Sequence, residues 1–141
     1  MTLYTETEEL GKLKTHAKAE QPNECIGLFT LSPYDEKGNW LLTDVITYKN
    51  VARKNKDEAA MISMAKVKAF NKKYRKFEPF GFRYGTYHSH PKFQKCQLSE
   101  KDEYIGKIYK QYRFQIIITD SKIGFWEWKD KAWIKGRIRK I

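Results

Sequence analysis

The chain has 141 residues and a net charge of +11, with nine Tyr, eight Phe and four Trp, so it is sized for one domain with a real hydrophobic core. No apolar run approaches the ~20 residues that a membrane-spanning helix needs, and the acidic, polar N-terminus lacks the basic and apolar regions of a signal peptide. Cys25 and Cys96 are too few for a disulfide framework, which leads to an expectation of an intracellular, cytoplasmic protein.

Thr5-Glu6-Thr7-Glu8 has the form of a capping box and predicts a helix to about residue 20, with Leu10, Leu13 and Ala17 on one face. His16 within it reads as a surface or packing histidine. Gln21-Pro22-Asn23 stops the helix. Residues 24–31 read as a buried strand and 40–48 as its antiparallel partner, joined by the turn Asp35-Glu36-Lys37-Gly38-Asn39. A polar, basic loop over 49–60 precedes a short strand at 61–64. An amphipathic helix over 65–76 then turns Val67, Phe70 and Tyr74 inward and its lysines outward, and Glu78-Pro79-Phe80-Gly81 breaks it.

Residues 82–90 form a strand ended by Pro91. A helix over 99–111 is expected to set Tyr104, Ile105 and Ile108 on the core, with Tyr112. Residues 112–119 are the strongest strand, since Ile116, Ile117 and Ile118 run together as in a strand buried on both faces. Residues 123–128 and 132–138 form a hairpin across Asp130. Phe125, Trp126, Trp128 and Trp133 read as core and edge packing rather than a binding platform.

The charge is uneven. Residues 49–76 carry ten Lys or Arg against Asp57 and Glu58, and residues 129–141 carry six against Asp130. Such patches attract nucleic acid or acidic protein surfaces, or are solvated faces without a partner.

The densest chemistry lies between residues 88 and 102. Two of the three histidines, His88 and His90, are two apart, so on a strand both imidazoles project from one face. Asp102 adds a carboxylate a short loop later. Two imidazoles and a carboxylate suit Zn²⁺, and three protein ligands leave a fourth tetrahedral position for water, as catalytic zinc sites do. Each part also has a plainer reading: the histidines pack, and Ser99-x-x-Asp102 caps the following helix. The readings are compatible, because a cap fixes the Asp102 backbone while its carboxylate turns to a metal.

His88-Ser89-His90-Pro91 with Ser99 and Asp102 resembles the JAMM motif of the MPN+ (JAB1/MPN/Mov34) metalloproteases. Pro22-Asn23-Glu24-Cys25-Ile26-Gly27-Leu28-Phe29 is similar to the segment in which that family carries a glutamate on an early strand. The order of elements agrees from about Thr5 to Ile134. One departure is the spacing: Lys92 to Leu98 is one residue longer than the family's usual interval. Cys96-Gln97-Leu98-Ser99 resembles the Cys-x-Leu-Ser of proteasome-lid and signalosome members, which puts the extra residue within 92–95.

The resemblance implies an α/β fold over residues 1–141, a single MPN-like domain with a mixed, mostly antiparallel sheet flanked by helices. It implies Zn²⁺ on His88, His90 and Asp102, Glu24 as general base and acid, and Ser99 as a hydrogen-bond donor to the oxyanion. Ser89, on the other side of the strand, would support the ligands from behind. A compact prokaryotic-type isopeptidase is implied, with ubiquitin or a small ubiquitin-like or sulfur-carrier protein as its partner. Neither cysteine lies in a Cys-x-x-Cys pair, which argues against structural zinc; no third group is positioned for a catalytic thiol, and Cys96 reads as a packing or rim residue. A non-catalytic MPN scaffold and a nucleic-acid-associated role stay open.

Overall fold

The computed structural model describes residues 1–53, 55–56, 60–90, 94–108 (side chains to 104) and 111–141. In chain order the elements are β1 (Thr2–Thr5), α1 (Thr7–Glu20), β2 (Ile26–Pro33), β3 (Trp40–Tyr48), α2 (Met64–Tyr74), β4 (Arg83–Ser89), α3 (Glu100–Ile108), β5 (Tyr112–Ile118), β6 (Ile123–Lys129) and β7 (Ala132–Lys140). The strands join in the order β1-β3-β2-β4-β5-β6-β7 and the sheet closes into a barrel. Pairings β1–β3, β1–β7 and β4–β5 are parallel and the other four are antiparallel. The mixed sheet with helices is as expected, and the structure adds that it is closed.

Closure depends on β1, which the sequence did not suggest. Leu3 pairs with Trp40 on one side and Ile138 on the other, and its side chain is buried in the core. The proposed capping box at Thr5 is therefore wrong. Thr5 ends β1, its hydroxyl donates to the Glu6 carbonyl, and α1 starts at Thr7 with Glu6 as a cap that makes no side-chain bond. Ladder bonds to two neighbouring strands outweigh the modest gain from a helix cap.

Alternation along the strands makes two cores. Inward-facing Leu3, Phe29, Leu31, Leu42, Val45, Tyr87, Phe114, Ile116, Ile118 and Phe125 meet Leu13 and Ala17 of α1. On the other face Leu28, Tyr84 and Tyr112 meet Phe70 and Tyr74 of α2, with Val67 against them. Both faces of β5 are covered, and Ile116, Ile117 and Ile118 are all buried. The hairpin between β6 and β7 turns on Asp130 and Lys131, both at positive φ (53° and 64°), the pair of left-handed residues that a two-residue type I′ turn requires.

Several boundaries differ from expectation. Residues 24 and 25 precede β2 rather than belong to it. Residues 61–64 form no strand. Val51 N–H bonds the Met61 carbonyl, and Ser63 caps α2 by accepting from the Lys66 amide. The helix expected to residue 76 ends at Tyr74 and passes into a 3-10 stretch, Arg75–Phe80, closed by Gly81 at φ 91°. Tyr104, expected in the core, is exposed. The side chains of Ile105 and Ile108, the residues 109–110 and Pro91, Lys92, Asp57 and Glu58 lie outside the described residues. Among the described residues no helix is long and apolar enough to cross a membrane.

Two glycines let the central strands approach aromatic rings. Gly27 lies across from Tyr87 and Gly85 across from Phe29. A Cβ at Gly85 would stand 2.3 Å from the Phe29 ring and 2.6 Å from the Phe114 carbonyl oxygen. Gly85→Ala is expected to destabilise the fold by about 1–3 kcal/mol, as overpacking does, read as a lower urea midpoint at unchanged slope. An unaltered midpoint would show that the ring moves aside freely.

Candidate metal centre

β4 lies between β2 and β5, with Ile26 opposite His88 and His88 opposite Ile117. His88 shares its face with Thr86 and Gln115, while Tyr87 points into the α1 core. His90 N–H bonds the Ile118 carbonyl just past the strand end. The chain then passes to α3, whose first turn carries Asp102. Ser99 and Asp102 form a reciprocal capping box: Ser99 N–H donates to Asp102 Oδ2 at 2.9 Å, and Asp102 N–H donates to Ser99 Oγ at 3.2 Å. The cap aims the carboxylate.

The three expected ligands converge. His88 Nε2 is 3.2 Å from His90 Nε2 and 3.1 Å from Asp102 Oδ1, and His90 Nε2 is 3.2 Å from Asp102 Oδ2. All three residues are buried, and together they could hold a metal ion. Ligands about 2.0–2.2 Å from a tetrahedral ion are about 3.3–3.6 Å apart, so the observed edges fit with a small outward adjustment. The donor atoms are also correct. His90 Nδ1 lies 2.9 Å from the Lys95 carbonyl, which can only accept, so Nδ1 carries a hydrogen and Nε2 is the nitrogen that presents a lone pair to a metal once its own proton is lost.

The electrostatics express the same convergence. Burial opposes ionisation of Asp102, yet hydrogen bonds from His88, His90 and the Ser99 amide outweigh it and hold the carboxyl well below its ordinary range. Burial also opposes a charge on His90, but Asp102 and the Lys95 carbonyl prevail and raise its pKa above 6.5.

Glu24 is buried, with 5% of its surface exposed. Extending the β2–β4 register by two places sets it across from His90, on the ligand face. Burial raises its pKa above 4.5, and the charges acting on it include those of His88, His90 and Asp102. Its backbone is pinned: Glu24 N–H donates to the Lys56 carbonyl, and Asn50 Nδ2 donates to the Glu24 carbonyl. Ser89 faces the other way and its hydroxyl accepts from the Cys25 amide at 2.8 Å, so it fixes the backbone next to Glu24. His16 is a packing residue, with Nδ1 2.8 Å from the Tyr87 hydroxyl. Burial pushes the Cys25 thiol up to about 11 and raises that of Cys96, so neither is a ready nucleophile.

Two polar residues escaped the sequence reading. Asn50, buried, also accepts from the Ala52 and Met61 amides and so shapes the loop beside Glu24. Gln115, wholly buried, donates from Nε2 to the Asp102 carbonyl at 2.7 Å. Its Oε1 has no partner among the described residues. The signal for Gln115 was present: one amide in the otherwise apolar run Phe114-Gln115-Ile116-Ile117-Ile118.

Residues 7–127 match the family described as prokaryotic homologues of the JAB domain. The chain belongs to that family. Among solved structures it is similar to the protein DSY2949 from Desulfitobacterium hafniense, with a TM-score of 0.70 at 18% identity over 99% of this chain and 92% of that one. It is also similar to AF2198, a JAB1/MPN domain protein from Archaeoglobus fulgidus, with a TM-score of 0.57 at 17% identity over 98% of each chain. At these identities the likeness is one of fold. No curated protein matches the sequence.

Elemental analysis after dialysis against divalent metal should find about one ion per JAB chain and none in His88→Ala/His90→Ala. Gln115→Leu should weaken metal affinity ~10–100-fold, the usual cost of losing support behind a ligand, with cooperative unfolding retained; unchanged affinity would make Gln115 a packing residue only. pH should act in opposite senses on the two forms. In the metal-free protein the raised His90 pKa adds stability that is full below 6.5 and is lost as pH rises through the folded value. The metal must displace that proton, so affinity should fall as pH drops through the same range. Thermal melts with and without metal across this range would show the crossing, and parallel curves would refute it.

Proposed function

We propose that this JAB-family chain is a zinc-dependent isopeptidase. Its substrate is the amide or isopeptide bond at the C-terminus of ubiquitin or a small ubiquitin-like or sulfur-carrier modifier. The observation that carries this reading is a buried carboxylate, Glu24, set on the same face as three convergent ligands. Zinc held by His88, His90 and Asp102 supplies a water of pKa near 7 and a Lewis acid for the scissile carbonyl.

The chain's own groups do the rest. Glu24 takes a proton from the attacking water and returns it to the leaving nitrogen, so the amine departs neutral and the carboxylate is regenerated. A raised pKa suits both halves, since the group must accept a proton and then give it up. Ser99 Oγ accepts from the Asp102 amide, and its own hydrogen is directed to the developing oxyanion, a contribution of ~10²–10³ in rate where such donors have been removed. Lys95, Ser89 and Asn50 hold His90, Cys25 and Glu24 through backbone contacts. A scaffold subunit has no need of this set, and its retention favours catalysis. Unpaired Cys25 and Cys96 suit a reducing, cytoplasmic setting.

The test uses metal-loaded protein and a panel of ubiquitin-like proteins fused through their C-terminal glycine to a reporter amine. Cleavage after that residue, stopped by a chelator and restored by zinc, is expected. Glu24→Gln should keep the metal and lose ~10²–10⁴ in kcat. The acidic limb of the wild-type rate should have its midpoint above 4.5, because Glu24 must be ionised and its pKa is raised. Stoichiometric zinc with no turnover of any fusion would return the chain to the scaffold reading.

A further inference from the structure

The outer face of β7 carries a row of cations that the metal centre does not use. In the middle of this strand Gly136 and Ile138 turn inward: Ile138 is paired with buried Leu3, and Gly136 lies opposite buried Phe125. Trp133, Lys135, Arg137 and Arg139 therefore share the outer face. The last three are exposed, and among the described residues none of them makes an ion pair with a carboxylate.

Aromatic rings stand at both ends of this row. Trp133 lies opposite Trp128 with ring centroids 5.4 Å apart, and both are half-buried. Arg139 lies opposite Tyr4, whose ring stacks on exposed Tyr34 at 3.9 Å. Between them Lys135 reaches over the Trp126 ring, 5.6 Å from its centroid. Residues two apart on a strand are about 6.8 Å apart, so the row from Trp133 to Arg139 runs about 20 Å. Carboxylates of Glu100 and Glu103 border the recess at the Trp128–Trp133 end, which leaves the anion path along Lys135, Arg137 and Arg139.

We propose that this face binds single-stranded nucleic acid. Regularly spaced cations track a phosphate backbone, and flanking rings stack on unpaired bases, the two parts of a sequence-tolerant single-strand site. A duplex is disfavoured because its bases are already stacked on one another and are not free to stack on the flanking rings. An acidic protein would be attracted by the same charges but has less use for aromatic rings at both ends.

The experiment is fluorescence anisotropy of labelled oligo-dT and oligo-U with the full-length protein over a salt series. Measurable affinity is expected, with single strand preferred over a duplex of equal length. Lys135→Glu/Arg137→Glu/Arg139→Glu should weaken binding at least tenfold and reduce the salt slope by about 2, near 0.7 for each lost charge. Tyr34→Ala, which removes an exposed ring, should weaken binding at unchanged salt slope. Lys68→Glu/Lys72→Glu/Lys73→Glu, the same charge change on exposed α2, should have a much smaller effect. Circular dichroism and metal content of each variant report on the fold. Equal losses from the two triple variants would reduce the effect to net charge and overturn the site. So would duplex bound as tightly as single strand, or polyglutamate of matched length bound as tightly as the oligonucleotide, which would reassign the face to acidic proteins.

Discussion

A slip of one residue in β4 against its neighbours would turn His88 and His90 into the α1 core and bring Tyr87 and Ser89 to the ligand face, because side chains alternate along a strand. The register is held by contacts that tolerate no such shift. Tyr87 covers Gly27 and Phe29 covers Gly85, two reciprocal ring-on-glycine pairs that fit in one alignment only. Past the paired stretch, Ser89 exchanges bonds with Cys25 through its amide and hydroxyl. Tyr87 then reaches His16 on α1. The apolar face of β4 thus fixes what its polar face presents.

The site itself is an expensive thing to bury. Two imidazoles and two carboxylates lie within one small region, and each loses solvation there. The cost is contained by pairing: Asp102 bridges both histidines, the Ser99 amide holds Asp102, and the Lys95 carbonyl holds His90. Glu24 is left as the group whose charge is least compensated, which is why burial dominates its pKa. A carboxyl whose pKa is raised by burial holds a proton more readily than an ordinary one, as a group that must accept a proton and return it requires. The weakest-supported charge in the cluster is the one to which the proton traffic is assigned.

Much of this was legible in the sequence, and the failures have physical causes. The two-residue spacing of His88 and His90 and the Ser99-x-x-Asp102 cap are local signals, and both appear as read. β1 was missed because its four residues carry no pattern of their own; its pairing is with strands 35 or more positions away. A plausible capping box at the same residues then drew the helix start too early. Tyr104 was assigned inward from apolar periodicity, yet it follows Asp102 by two residues, about 200° around a helix. Once Asp102 must face the histidines, Tyr104 faces solvent. Gln115 went unread because an amide within a run of isoleucines looks like an interruption until its partner is known.

The position of the centre follows from the connection rather than from the barrel. β4 pairs antiparallel with β2 on one side and parallel with β5 on the other. A parallel pair needs a crossover, and α3 supplies it. The chain therefore leaves the C-terminal end of β4 and turns into a helix N-terminus, where the backbone dipole favours an anionic side chain. Asp102 occupies that first turn, and Gln115, returning on β5, takes hold of its carbonyl. In open α/β sheets ligands bind outside the carboxyl ends of strands where the winding changes direction. The closed sheet here has its reversal at the same kind of place. The histidines at the end of β4, the carboxylate in the first turn of α3 and the glutamate just before β2 meet where a strand end, a helix start and the start of a neighbouring strand come together.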